Sequence, residues 1–121
     1  MIYDDNNIFA KILRGEIPCK KIYEDEYVLS FYDINPQKKI HALVIPKGKY
    51  IDLDDFNSNA SNDEIVGLMK GITIVSKKLG ISSIDGKGYR ALANISDYGG
   101  QEVPHLHFHL FGGEKVGKMV S

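Results

Sequence analysis

The sequence predicts an α+β fold in which two helices pack on a five-stranded antiparallel sheet. Most apolar runs are short and are separated by turn residues, which is typical of strands joined by tight connections. Only two segments place apolar residues at helical spacing. The chain has 121 residues, 43% of them hydrophobic, and no internal repeat or low-complexity stretch. We therefore expect one domain, residues 1–121, around a single core.

A short helix is predicted near the N-terminus. Asn6 or Asn7 can cap its start, and Gly15 can end it. The residues that carry the helical spacing are Ile8, Phe9, Ile12 and Leu13.

A longer helix is predicted after Ser61, because Ser61 and Glu64 have the spacing of a capping box. Gly67 and Gly71 weaken a helix by about 1 kcal/mol each relative to alanine, and we expect them to let another backbone pack close. The helix is expected to end at Gly80, and its apolar stripe consists of Ile65, Leu68, Met69, Ile72, Val75 and Leu79.

Five strands are expected. Residues 21–32 read as two strands around an acidic turn, and residues 40–46 as a third strand after the Pro36 turn. Residues 89–95 and 105–111 give the last two, and the polar segment 52–62 is expected to be a loop.

Charge and cysteine content exclude several classes of protein. The formal net charge of −1 gives no broad basic field for nucleic acid or for a membrane surface. No apolar run is long enough to span a bilayer, and the polar start of the chain does not resemble a signal peptide, so we expect a cytoplasmic protein. Cys19 is the only cysteine, which excludes an internal disulfide or a zinc site of several thiolates, and packing is its simplest role.

Three of the four histidines alternate with apolar residues near the C-terminus. In a strand, His105, His107 and His109 would share one face, with the outer two about 13 Å apart. A tetrahedral zinc needs its nitrogen ligands at about 2.1 Å, so the spacing favours acid, base or nucleophile chemistry, and we expect no metal and no cofactor. A metal centre that uses His41 with the three histidines is kept as an alternative, as is an inert histidine-rich face.

A double glycine precedes these histidines. Because Gly99 and Gly100 have no side chains, their backbone N–H groups can approach an anion such as phosphate, and Gln101 adds an amide donor. The alternative is an ordinary turn, since Asp97 and Tyr98 complete a typical turn sequence.

The His-x-His-x-His pattern resembles the signature of the histidine-triad nucleotide-binding family. The resemblance extends to residues 7–18, 31–37 and 41–47, and the chain from about residue 7 to 113 is similar to the small phosphoramidase branch. It implies five strands per subunit and a homodimer whose sheet continues across the interface.

Chemistry and the resemblance together suggest a role for each histidine. A neutral imidazole is a good nucleophile toward phosphorus, and His107 is the central one. The resemblance implies that the backbone carbonyl of His105 fixes its tautomer. His109 would then bind the phosphoryl oxygens or pass a proton, and His41 and His105 would complete the polar cluster. Donors for the developing charge are expected from Gln101 and from the backbone around Gly100, Glu102 and Val103.

The resemblance also implies a nucleotide pocket. Asp33 would bind the ribose, because a carboxylate can accept from two neighbouring hydroxyls, and Asn94 would lie near the sugar-phosphate. Each has a simpler interpretation, as a turn cap for Asp33 and a turn residue for Asn94. The residues implied to sandwich the purine, any of which alone would be interpreted as core, are Ile8, Phe9, Ile12, Phe31 and Ile34.

The sequence departs from the eukaryotic pattern of the family at three positions. Tyr32 replaces a common histidine, Glu102 replaces a small hydroxyl residue, and Pro104 directly precedes the triad. A carboxylate near phosphate is repulsive, so we expect the Glu102 side chain to turn away and only its N–H to be used. The tail, residues 112–121, lacks the aromatic ending of some relatives, which leaves the leaving group open.

The function implied is a purine nucleoside phosphoramidase that binds AMP, GMP or an adenosine-like ligand and forms a nucleotidyl-histidine at His107. Hydrolysis of dinucleoside polyphosphates is the nearest alternative. A non-catalytic purine-nucleotide-binding or scaffold protein is another.

Overall fold

One five-stranded antiparallel sheet organises the protein. The computed structural model describes residues 2–118, so Met1 and the tail residues 119–121 lie outside the described part. In chain order the elements are α1 (Ile8–Leu13), β1 (Lys21–Glu24), β2 (Val28–Tyr32), β3 (Ile40–Pro46), α2 (Leu53–Asn59), α3 (Asn62–Lys78), β4 (Arg90–Leu92) and β5 (Phe108–Gly112). The strand order is β1-β2-β3-β5-β4, which confirms the predicted sheet.

The central strand β3 is buried on both faces of the sheet. Val44 packs into the cluster that includes Leu68 from α3, whereas Leu43 packs with Phe9 from α1 on the opposite face. Because side chains alternate along a strand, His41 shares the face of Leu43. The α1 face of the sheet therefore carries the first of the four histidines.

The caps predicted for the N-terminal helix and for the long helix are present. The Asn7 side chain accepts a hydrogen bond from the N–H of Ala10, and Ser61 and Glu64 form a reciprocal capping box. Each cap satisfies backbone donors that a helix start leaves unpaired. The position of α1 matters most for function, because this helix covers the face of the sheet that contains His41.

The two glycines of α3 serve side-chain packing, so the expected close backbone approach is wrong. A Cβ atom on Gly67 would lie 2.6 Å from ring atoms of Tyr27, and one on Gly71 would lie 3.0 Å from a methyl carbon of Val28. Both neighbours are side chains, Val28 at the start of β2 and Tyr27 directly before it. The absence of a Cβ therefore lets α3 lie directly on that strand.

A third helix occupies part of the segment predicted to be a loop. In α2, the Asp52 side chain caps the start by accepting from the N–H of Asp55, and Phe56 is only 1% exposed in the core. The apolar residues Leu53, Phe56 and Ala60 have helical spacing and face the core, but the Asp and Asn residues between them made the segment read as a polar loop. Among residues 2–118, no helix has the length and apolar character needed to cross a bilayer.

The last two strands are shorter than predicted, and this changes the setting of the triad. Pairing of β3 with β5 runs from Val44 opposite Phe108 to Ile40 opposite Gly112, so His105 and His107 precede the strand. Instead of pairing with β3, the N–H of Leu106 donates to the carbonyl of Tyr50. The three histidines therefore do not share one regular strand face.

Candidate active site

Two neighbouring strands bring His41 and His109 together. In the antiparallel register of β3 and β5, Leu43 lies opposite His109, and His41 Nε2 lies 2.9 Å from His109 Nδ1. The rings of His107 and His109 have centroids 5.0 Å apart. Three imidazoles thus form one contiguous cluster on the α1 face of the sheet.

The tautomer of His107 is fixed by a backbone acceptor. Its Nδ1 lies 2.8 Å from the carbonyl oxygen of His105, and a carbonyl can only accept, so Nδ1 carries the proton. In the neutral ring, Nε2 then keeps the lone pair. The ring of Phe9 packs edge-on against His107 with a centroid separation of 4.9 Å, which limits rotation of the imidazole.

The proton positions on His41 and His109 follow from a backbone donor. The N–H of Gln37 donates to His41 Nδ1 at 3.1 Å, so neutral His41 carries its proton on Nε2 and donates it to His109 Nδ1. Neutral His109 must then carry its own proton on Nε2. Asp33 Oδ2 lies 3.4 Å from His41 Nε2 and orients this pair electrostatically.

His105 contributes its carbonyl group to the cluster, while its ring points elsewhere. The ring Nε2 donates to the carbonyl of Pro46 at 2.9 Å, and Nδ1 accepts from the hydroxyl of Tyr3 at 2.5 Å. The side chain is fully buried. His105 therefore joins the cluster through its carbonyl alone, because both of its ring nitrogens are engaged behind the site.

A cavity of about 450 Å³ opens onto this cluster, and we call it the triad cavity. Several of the residues predicted for the site line it, whereas His105 and Gln101 do not. The lining residues are Phe9, Asp33, Asn35, Gln37, His41, Leu43, Leu92, Asn94, Gly100, Glu102, Val103, His107, His109 and Phe111.

The residues predicted to sandwich the purine are not gathered in one place. Phe9 lines the triad cavity, and Phe31 is buried beneath Phe9 with a ring separation of 5.7 Å. Ile34 is 85% exposed and lines an adjoining cavity, Ile12 lines a different one, and Ile8 is partly exposed. Of these residues, Phe9 is the one whose ring packs against the rings of His105 and His107.

Sequence reasoning missed Phe111, which packs on two of the histidines. Its ring is stacked on His109 with a centroid separation of 5.6 Å and lies 4.3 Å from the ring of His41. Phe111 continues the two-residue period of the triad, which was the signal available. Gln37 was also missed, because it acts through its backbone N–H and leaves no trace in side-chain chemistry.

The glycine loop is braced by Gln101. Its side-chain carbonyl accepts from the N–H of Ser96, and its amide donates to the carbonyls of Ile51 and Val103. The expected role of this amide as a phosphate donor is therefore not available here. Gly100 has a φ of +76°, which favours glycine, and it remains on the cavity wall.

Glu102 stays within electrostatic reach of the nucleophile candidate. It lines the triad cavity, and its negative charge is among the influences that raise the pKa of His107. Glu102 is exposed, and the expectation that only its backbone N–H is used stays a prediction.

Comparison with known proteins identifies the family. The HIT domain model matches residues 14–116, which include all four histidines. The chain belongs to the HIT family. It is 51% identical over 119 residues to an uncharacterized HIT-like protein of Azospirillum brasilense, with 98% of this chain and 95% of the relative covered.

Two further HIT relatives carry more specific names. The purine nucleoside phosphoramidase of Escherichia coli K12 is 38% identical, with 97% of this chain and 95% of that protein covered. Among solved structures, a HIT family hydrolase from Clostridium thermocellum superposes with a TM-score of 0.85 at 37% identity, covering 98% of this chain and 99% of that one.

The HIT histidines resist protonation because they are buried. Loss of hydration lowers the pKa of His105 and of His109 to about 4, and nearby positive charge on His107 acts in the same direction. Burial also lowers the pKa of His107 and of His41, against an opposing effect of Asp33. All four rings are therefore neutral near pH 7, as a nitrogen nucleophile requires.

Hydrogen bonding disfavours the metal alternative. Asp33, His41 and His109 each offer a ligand atom within 4.8 Å of the others. The N–H of Gln37 occupies His41 Nδ1, however, so His41 Nε2 is protonated and has no lone pair for a metal. Metal-binding histidines usually show the opposite arrangement, in which the second nitrogen donates to an acceptor.

A larger cavity, of about 940 Å³, lies away from the histidines. It is formed by the loop after α3 and the segment after β5, and five of its eleven lining residues are glycines. Its charged lining residues are Lys87, Glu114 and Lys115, which form no cluster of nucleophilic or ligating groups. Size alone would therefore have selected the wrong place for the chemistry.

We predict that a non-titrating side chain at position 105 flattens the acid side of the stability profile. The His105 pKa is about 4 in the folded chain against an ordinary 6.5. As pH falls, the unfolded chain binds this proton at a higher pH than the folded chain does. The free energy of unfolding therefore decreases between about pH 6.5 and about pH 4. His105→Gln keeps a donor for the Pro46 carbonyl and an acceptor for Tyr3. Between about pH 6 and 5, unfolding free energy should fall by about 1 kcal/mol more in the unmodified protein.

Urea unfolding of both proteins at several pH values measures this difference. Comparing the two slopes cancels the contribution of the carboxylates, which is common to both. Parallel pH profiles would show that His105 has an ordinary pKa and that its burial does not control its charge.

Proposed function

We propose that this HIT protein is a purine nucleoside phosphoramidase that acts through a nucleotidyl-histidine at His107. The observation that carries the proposal is the 2.8 Å hydrogen bond between His107 Nδ1 and the His105 carbonyl. It leaves the Nε2 lone pair of a neutral ring beside the triad cavity. A neutral imidazole in that state can attack phosphorus without a separate base.

In the first step, His107 Nε2 forms a bond to phosphorus as the phosphorus–nitrogen bond breaks. The bonding electron pair leaves with the amine nitrogen, which takes up a proton from water. In the second step, water attacks phosphorus, loses a proton, and returns the electron pair to His107 Nε2. The net change is addition of one water across the phosphorus–nitrogen bond, giving a nucleoside monophosphate and an amine.

His109 is assigned to the phosphoryl oxygens in this mechanism. Its Nε2 carries a proton in the neutral pair with His41, so it can donate a hydrogen bond to charge that develops on oxygen. Passing that proton on would require His41 to lose its only proton, because Gln37 holds His41 Nδ1 as an acceptor. Of the two roles open for His109 from sequence, oxygen binding is the one that the hydrogen bonds favour.

Asp33 is assigned to the ribose. Its Oδ1 accepts from the N–H of Asn35 at 2.8 Å, which orients the carboxylate. It lines both the triad cavity and an adjoining cavity of about 710 Å³ that contains Tyr32 and Ile34. A nucleotide with its phosphate at His107 can extend past Asp33 into that space.

The relatives support the substrate class. One protein with 38% identity is named a purine nucleoside phosphoramidase, and a histidine triad nucleotide-binding protein from Candida albicans superposes with a TM-score of 0.74 at 34% identity.

A paired assay tests the substrate class by measuring turnover of an adenosine phosphoramidate and of a diadenosine polyphosphate under the same conditions. Faster turnover of the second substrate would favour the polyphosphate alternative, and AMP binding without turnover would favour a binding protein.

We predict that His107→Ala lowers phosphoramidate turnover by several orders of magnitude, because it removes the atom that forms the covalent bond. AMP binding, measured by titration calorimetry, should be nearly unchanged. In the unmodified protein, quenching the reaction into base should trap one adenylated histidine for mass spectrometry.

The position of that label decides the assignment. A label on His109, or substantial turnover by the His107→Ala protein, would place the nucleophile elsewhere even if the substrate class is right. Circular dichroism of the variant shows that the loss is not caused by unfolding.

We predict that Asp33→Ala weakens AMP binding by about 1.5–3 kcal/mol, the usual range for hydrogen bonds to a charged group. The matched control is Asp54→Ala, which removes an exposed carboxylate from α2. Titration calorimetry should show a loss for Asp33→Ala alone. Equal AMP affinity of the two folded variants would remove Asp33 from the ribose site.

We also propose a homodimer in which the sheet continues into a second copy. The strand order leaves one side of β4 unpaired within the described chain, and an exposed edge strand is an aggregation hazard unless it is covered or paired. Light scattering at micromolar concentration should give about twice the 13.5 kDa chain mass. A monomer mass that does not change with concentration would reject the dimer.

A further inference from the structure

The N-terminal segment before α1 packs against the ring of His105. Tyr3 packs edge-on against the His105 ring with a centroid separation of 5.6 Å, and its hydroxyl lies 2.5 Å from His105 Nδ1. The segment is tethered nearby, since Asp5 forms an ion pair with Lys49 and its carbonyl accepts from Arg14. Tyr3 lies before the part of the chain that the family model matches, whereas His105 lies within it.

The direction of the Tyr3 hydrogen bond is determined by the partner of the other ring nitrogen. His105 Nε2 faces the carbonyl of Pro46 at 2.9 Å, so Nε2 carries the proton of the neutral ring. Nδ1 must accept, and Tyr3 is its donor. With the ring fully buried, loss of this donor would leave a polar atom without a partner, which is unfavourable.

His105 also orients the proposed nucleophile, His107. The carbonyl of His105 accepts from His107 Nδ1 at 2.8 Å, so rotation of residue 105 moves the group that sets the His107 tautomer. Phe9 contacts both rings, with centroids 6.4 Å from His105 and 4.9 Å from His107. Displacement of the His105 ring is therefore transmitted to His107 along two routes.

We propose that Tyr3 is a positioning residue for the nucleophile: its hydroxyl clamps His105, and through the His105 carbonyl keeps the His107 proton on Nδ1. The inference rests on the proposed function, since it assigns Tyr3 to the reaction of His107. Tyr3 itself touches neither substrate nor the reacting atoms. It acts from behind the cavity.

The test is Tyr3→Phe in the full chain, which keeps the ring packing and removes only the hydroxyl. Two-bond proton–nitrogen NMR spectra of the histidine rings report which nitrogen carries each proton. The unmodified protein should show His107 protonated on Nδ1 and His105 on Nε2. In the variant, the His105 Nδ1 resonance should move toward that of an unbonded nitrogen, and a fraction of His107 should carry its proton on Nε2.

Kinetics should change in the same direction. We expect kcat for an adenosine phosphoramidate to fall about tenfold in Tyr3→Phe, because the reactive lone pair is on the correct nitrogen for less of the time. KM should stay within about twofold, since no substrate contact is lost. A purely structural role would lower thermal stability without moving the His107 tautomer.

Two control variants separate the hydroxyl from its surroundings. Tyr23→Phe removes another tyrosine hydroxyl hydrogen bond, to Asp25 at the far edge of the sheet. Lys49→Gln breaks the ion pair that tethers the N-terminal segment and leaves Tyr3 intact. Both should keep the wild-type histidine spectrum and kcat.

The outcomes are distinguishable from those for the proposed function. An unchanged His107 tautomer in Tyr3→Phe overturns the inference, as does an unchanged kcat in an active enzyme. If the unmodified protein does not turn over phosphoramidates but the tautomer shifts as expected, the proposed function fails and the positioning by Tyr3 stands. If Lys49→Gln reproduces the full effect, the segment as a whole, and not the hydroxyl, holds His105.

Discussion

The hydrogen bond from His107 Nδ1 to the carbonyl of His105 is the contact on which the site depends. A carbonyl cannot donate, so this bond decides which imidazole nitrogen carries the proton and which keeps a lone pair. Residues 105–107 lie before the ladder with β3, where the His105 carbonyl accepts from the His107 ring. Pairing with β3 begins only at Phe108. The start of β5 is therefore a functional boundary, because it leaves His107 directly before the strand.

Backbone groups fix the tautomers of the other histidines in the same way. The N–H of Gln37 determines His41, which in turn determines His109, and the carbonyl of Pro46 determines His105. Backbone partners are held by the fold, so each proton position is established before a ligand arrives. Preorganised donors and acceptors need no rearrangement during the reaction. The fold and the site are thus linked through peptide groups more than through side-chain pairs.

Sequence predicted the parts of this protein in which side-chain type and spacing act locally. The capping box of Ser61 and Glu64 is one such case. The short apolar runs separated by turn residues, which predicted the strands of the sheet, are another. Sequence could not predict what depends on backbone partners or on a single tertiary contact. Helix α2 depends on the burial of Phe56, and the Gln101 amide is used by the carbonyls of Ile51 and Val103. The Gln101 contacts leave no periodic pattern, and in α2 the helical spacing of Leu53, Phe56 and Ala60 is masked by the Asp and Asn residues between them.

The lowered pKa of His107 has opposite effects on the two steps proposed for this residue. Burial lowers the pKa of His107, which weakens the imidazole as a nucleophile but ensures that it is neutral when substrate binds. The same shift makes its nitrogen a better leaving group when water attacks the intermediate. The hydrogen bond to the His105 carbonyl opposes the shift most, followed by the charges of Asp33 and Glu102, so these three groups limit how far burial reduces nucleophilicity. The pKa of His107 is in this way a compromise between formation and breakdown of one covalent bond.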